Sequence, residues 1–134
     1  MDNTLYQEYM RQLSSRENLY QLIKRFKETK NISNEEFYME TELNRNVMCD
    51  IKKNKSRPSL RIVITICIGL HLEPYESLEL IETAGYSLNR SQYLDFAYLD
   101  LICHYYEFYI YECNKRLKEV GIEEKYYLGS RERK

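Results

Sequence analysis

Apolar positions recur at helical spacing along most of the chain. Leu5, Tyr9 and Leu13 form one series, and Leu19, Leu22, Ile23 and Phe26 form a second that starts near Ser15. One or two helices are predicted there, with Ser14 or Ser15 as the cap, Glu17 in the first turn and a polar end at residues 27–31. Ser33 followed by Glu36 is a capping-box pattern, in which each side chain satisfies an amide of the other residue. A short helix is therefore predicted from Asn34, with Phe37, Thr41, Met39 and Glu40 dividing between its inner and outer faces. Leu43 plugs the turn that follows, and Asn44 caps a second short helix whose apolar face is Val47, Met48 and Ile51.

Residues 60–72 are apolar almost all round, which predicts the central helix of a core. Their β-branched side chains suit a strand locally, but the surrounding helical pattern decides for a helix. His71 near its end is placed to meet the last carbonyls. Pro74 suits the first turn of the next helix, with Leu78, Leu80, Ile81 and Ala84 on its buried side and Gly85 as its stop. Ser91 is positioned to cap another. From Tyr93 to Cys113 the chain is rich in aromatics, and one stripe can run through Leu94, Tyr98, Ile102, Tyr105 and Tyr109. A second stripe, through Phe96, Leu99, Tyr106 and Ile110, exceeds what a single core needs, so the region predicts a deeply buried helix pair or a self-association face.

Composition agrees with this pattern. The 134 residues suit one domain, and 4 glycines and 2 prolines leave little to interrupt helices. The expected fold is all-α: a compact helical bundle over residues 1–134, with two short helices at about 33–54, aromatic C-terminal helices at about 91–120 and a frayed tail at 130–134. The start of the sequence lacks a secretory pattern, and the apolar run from Ile62 to Leu72 is too short to span a bilayer, so a cytoplasmic protein without a membrane partner is expected.

Charge narrows the functional classes. A formal net charge of -1 argues against a protein that coats nucleic acid over its whole surface. Positive charge is instead local: Arg45, Lys52, Lys53, Lys55, Arg57 and Arg61 are offset only by Asp50. Four widely spaced cysteines read as reduced thiols, mostly buried. Cys67 and His71, four apart, with Cys103 or Cys113 could begin a zinc site, but short-spaced pairs are missing and core packing accounts for them better. No cofactor is implied. With no glycine-rich phosphate loop and no nucleophile paired with His71 or His104, an enzyme is not expected.

The segment SNEEFYMETELNRNVMCDIKKNKSRPSLR, residues 33–61, resembles the helix-turn-helix of the phage Cro and lambda-repressor type, the xenobiotic-response-element family. The likeness continues through LELIETAGYSLNRS to the closing YYLG, over roughly residues 15–129, and is similar to a subgroup of small bacterial or mobile-element proteins from low-GC Gram-positive genomes. Two positions depart from the family pattern: Tyr38 stands where many members have a small residue, and Glu42 where many have glycine in the turn.

The resemblance implies a sequence-specific protein for double-stranded DNA, a transcriptional regulator that lays the helix beginning at Arg45 in the major groove. Arg45, Asn46 and Cys49 would then meet base edges, while Lys52, Lys53, Lys55, Arg57, Ser59 and Arg61 would hold phosphates. A homodimer is expected, because such regulators read two half-sites, with Tyr98, Tyr105 and Tyr109 as the dimer or partner interface. The alternative is that the helix-turn-helix is a scaffold for protein contacts, as in a phage or mobile-element factor that inhibits a host protein. The tyrosine-rich C-terminal helices favour that reading, and the basic turn favours the first.

Overall fold

The computed structural model describes residues 3–7, 17–54 and 57–129, and among them it holds helices and no strand. The chain is all-α. A helical turn at residues 4–7 precedes α1 (Leu19–Thr29), α2 (Asn34–Thr41), α3 (Arg45–Lys53), α4 (Leu60–Gly69), α5 (Pro74–Thr83), α6 (Tyr93–His104) and α7 (Ile110–Glu119), with a short 3-10 helix at Glu124–Tyr126. None of these is long and apolar enough to cross a membrane.

The apolar run at residues 60–72 becomes α4 and its C-terminal turn, and it is the hub. Val63, Ile64, Ile66, Cys67, Ile68, Leu70 and Leu72 are all buried, and α4 packs against α2, α5, α6 and α7. A helix apolar on every side can be satisfied only by neighbours on every side. α1 lies outside this ring, packing its Leu22, Ile23 and Phe26 side on α3 and α5.

Caps set most boundaries. At α2 the Glu36 amide donates to Ser33 Oγ at 3.1 Å, and the Ser33 amide to Glu36 Oε1 at 3.3 Å, as the spacing predicts. The Asn46 amide donates to Asn44 Oδ1 at 2.9 Å at the start of α3, and the Ile62 amide to Ser59 Oγ at 3.3 Å at the start of α4. Phe37, Thr41 and Leu43 are buried as a plug between α2 and the core.

Several expectations are corrected. The cap of α1 is Asn18, boxed with Gln21, so Glu17 precedes the helix and pairs with Arg25 at 2.8 Å. Ser14, Ser15, Tyr9, Leu13 and the tail at 130–134 lie outside the described residues, and Leu5 is exposed. On α5 the buried positions are Ser77, Leu80 and Ile81, continued by Ala84, whereas Leu78 is exposed. Ser91 bonds Asn89 in a turn, and Gln92 stands at the N-cap of α6. His71 caps α4 through its backbone amide, which donates to the Ile68 carbonyl at 2.9 Å, and not through its ring. It takes a left-handed backbone, its Nδ1 lies 2.9 Å from the Tyr106 carbonyl, and its Nε2 lies 3.6 Å from Glu40 Oε2, so it ties α2 to the α6–α7 connection.

The aromatic stripe is broken as well. α6 ends at His104, residues 105–109 turn, and α7 restarts with the Tyr109 amide donating to Glu112 Oε1 at 3.0 Å. Tyr98 and Tyr109 therefore belong to different elements.

The last described stretch straps this assembly. The Tyr98 phenol donates to the Tyr126 carbonyl at 2.7 Å, and Asn114 exchanges two hydrogen bonds with the Leu128 backbone. The Gly129 amide donates to Thr65 Oγ1 at 3.1 Å, and that hydroxyl donates to the Arg61 carbonyl. The Arg61 guanidinium donates to the carbonyls of Tyr127 and Gly129.

Two of the four thiols are buried, fewer than expected. Cys67 Sγ faces the Ser77 carbonyl, away from the contacts of His71, and among the described residues no group is placed to hold a metal ion. Burial pushes the Cys67 and Cys113 thiols up to about 12, while Cys49 and Cys103 are exposed. A disulfide-exchange reagent at pH 8 is expected to titrate Cys49 and Cys103 at once and Cys67 and Cys113 only on unfolding, because the thiolate is the nucleophile. Four thiols reacting together in the native protein would contradict this burial. The raised thiols also contribute to stability in full below their unfolded values, near ~8.5. That contribution is lost as pH climbs toward their folded value of about 12.

Candidate nucleic-acid interface

α3 is short, capped and laid across α1, which fixes the side it shows to solvent. Met48 and Ile51 are buried and Val47 half-buried. At about 100° per residue, Arg45, Asn46, Cys49 and Lys53 fall on the opposite side, and all four are exposed. The three residues predicted to meet bases thus share one outward face, joined by Lys53, which had been assigned to phosphate. Asp50 is exposed beside them.

Two aromatic rings order the cations at its ends. The Arg45 guanidinium lies 4.7 Å from the centre of the Tyr38 ring, and the Tyr38 phenol donates to the Arg45 carbonyl at 3.4 Å. Burial above all holds the Tyr38 phenol above its ordinary range, so a neutral ring backs the guanidinium. Tyr38 is half-buried, with its ring edge-on to Phe37, centres 5.2 Å apart. At the other end the Lys52 ammonium lies 5.7 Å from the Tyr20 ring centre.

Arg57 stands beyond the C-terminus of α3. Its guanidinium lies 4.3 Å from the Tyr86 ring centre and donates to the Gly85 carbonyl at 3.3 Å. Tyr86 in turn donates to the Pro58 carbonyl at 2.8 Å, so the turn into α4 is held against the end of α5. Lys52 and Arg57 line one cleft of about 500 Å³ with Tyr20, Asn18 and Asn54.

The remaining predicted residues divide. Lys55 lies outside the described residues. Ser59 is exposed, with its hydroxyl accepting the cap bond of α4. Arg61 is a correction: it is half-buried and turned to the C-terminal strap, where its guanidinium donates to the carbonyls of Tyr127 and Gly129. Tyr98 is another correction, since at 1% exposure it belongs to the core and presents nothing to a second chain. Tyr105 is half-buried and Tyr109 exposed.

Glu42 adopts a left-handed backbone, φ 58°, where glycine would be unstrained. That conformation costs an ordinary residue about 1 kcal/mol, and it stands here beside the buried plug of Leu43, close enough to Gly129 that a Cβ there would lie 3.4 Å from the Glu42 Cβ. Tyr20 and Tyr38 went unnoticed as supports of the cations. Tyr38 was legible in principle, seven residues before Arg45 across a tight turn; Tyr20 carries no local signal.

Comparison with protein-family models, with curated proteins and with solved structures finds no match for this chain.

Proposed function

We propose that the chain binds double-stranded DNA sequence-specifically, as a transcriptional regulator of the Cro and lambda-repressor helix-turn-helix type, with α3 in the major groove. The outward face of α3 carries this reading: Arg45, Asn46, Cys49 and Lys53 are exposed together, with Lys52 and Arg57 at its C-terminal end. Arg45 and Asn46 in the first turn have the donor geometry for guanine and adenine edges. The Tyr38 ring limits the rotamers of Arg45 before binding, which reduces the entropy lost on contact. Lys52, Lys53 and Arg57 supply phosphate contacts, and the sharing of Lys53 between the two roles depends on how steeply the helix enters.

Selection from random duplex DNA at moderate salt tests the reading, with enrichment of a defined sequence as the expected result. A folded protein that enriches none would end it. Arg45→Ala is expected to weaken the selected complex about tenfold to hundredfold, equivalent to ~1–3 kcal/mol, and to relax preference at one position. Lys52→Ala should weaken all duplexes alike and reduce the salt slope by about one. Asp50→Asn should strengthen binding, since an acid beside the groove face repels phosphate. Two half-sites would require two copies, so light scattering of the complex is expected to give two chains per operator.

A further inference from the structure

Two of the aromatic residues left over from the core, Tyr109 and Tyr111, share one groove. Between α2 and the start of α7 lies a groove of about 240 Å³ lined by Met39, Glu40, Glu42, Tyr109, Ile110 and Tyr111. Met39 is 75% exposed, Tyr109 52% and Tyr111 66%, while Ile110 is buried as the floor. Tyr109 is the extended N-cap residue and Tyr111 the second residue of α7, so both rings come to one side and stack, with centres 6.0 Å apart and planes at 11°. Nothing within the described fold requires these side chains to be in water, and water contact with them is unfavourable.

Charge says what covers them. Beside Met39, α2 carries exposed Glu35 and half-buried Glu40, whose Oε2 lies 3.6 Å from His71 Nε2, and α2 contains no basic residue. Glu107 precedes Tyr109, Glu112 follows Tyr111, and the nearest lysine on α7 is Lys115, one turn further on, so acids flank the groove on both sides, with Glu40 and Glu42 in its lining. An acidic rim repels nucleic acid and anionic lipid. The volume is below the usual range of small-molecule pockets and suits a single inserted side chain. The basic face on α3 of a second copy offers no apolar anchor to the groove, because its Met48 and Ile51 are buried.

We propose that this groove docks a basic peptide segment of a partner protein. One apolar side chain inserts between Met39 and the Tyr109–Tyr111 pair, and flanking Lys or Arg residues lie over Glu35 and Glu40. The groove shares no lining residue with the outward face of α3, so the proposal does not rest on the DNA reading.

The test is selection of a displayed random 12-residue peptide library on the full chain, followed by fluorescence polarisation of an enriched peptide. Enriched sequences are expected to carry one large apolar residue flanked by Lys or Arg, and their binding is expected to weaken with salt. Tyr111→Ala, and independently Met39→Glu, should each weaken binding at least tenfold without lowering the melting temperature. Phe96→Ala, an exposed aromatic elsewhere, should leave it unchanged. Any one of four results would overturn the proposal: no enrichment, acid-rich sequences, affinity indifferent to both groove variants, or a free dimer that Tyr111→Ala splits. Duplex binding, if present, should be unaffected by Tyr111→Ala, so failure here and failure of the DNA reading are separate outcomes.

Discussion

Gly69→Ala is expected to lower the stability of this chain by about 3 kcal/mol, although the same exchange inside an ordinary helix stabilises by ~1. A Cβ at Gly69 would stand 2.3 Å from Thr41 Cγ2 and 3.1 Å from Thr41 Cα. Both residues are fully enclosed where α2 crosses α4, so neither side chain nor backbone has room to yield. The helices must separate, and the plug of Phe37 and Leu43 moves with them. Chemical denaturation of the variant measures this. Thr41→Ser in the same chain removes the clashing methyl and keeps the hydroxyl that accepts from the Leu43 amide, so the pair should recover part of the loss. A Gly69→Ala protein as stable as the parent would show that α2 and α4 are not this close.

The second large effect is expected at Arg61. Truncation to alanine should cost about 2–3 kcal/mol, since hydrogen bonds to a charged group are worth ~1.5–3 each and two carbonyls of the strap lose their donor. Arg61→Lys should recover only part, because an ammonium cannot reproduce the planar fork. If Arg61 held a phosphate instead, its removal would flatten the salt dependence of duplex binding; here the folded variant should keep the parental slope while Lys52→Ala does not.

What the sequence made legible was local. Ser33 with Glu36, Asn44 and Pro74 mark helix starts through atoms at most three residues away, and all three stand where they were expected. The outward face of α3 followed from the same short-range periodicity. On α5 the spacing of Ser77, Leu80, Ile81 and Ala84 is the better helical series, and it outweighs the hydrophobicity of Leu78, which lies off that face and is exposed. The break at residues 105–109 carries no glycine or proline, and tyrosine is not an ordinary cap, so nothing signalled that one stripe was two elements. Arg61 looked like its basic neighbours because its partners lie far along the chain, and no local pattern distinguishes a cation that reaches outward from one folded under a strap.

That strap also orders the making of the protein. Thr65 and Arg61 find their partners 64 to 68 residues downstream, and the Gly129 backbone lies against Glu42, at the turn that aims α3. As a ribosome releases the chain, α2, α3 and α4 emerge with their caps already in hand. The first turn of α4 nevertheless lacks its cross-chain bonds until residue 129 is outside the exit tunnel. The face of α3 is therefore braced last, by a stretch of chain that never touches it.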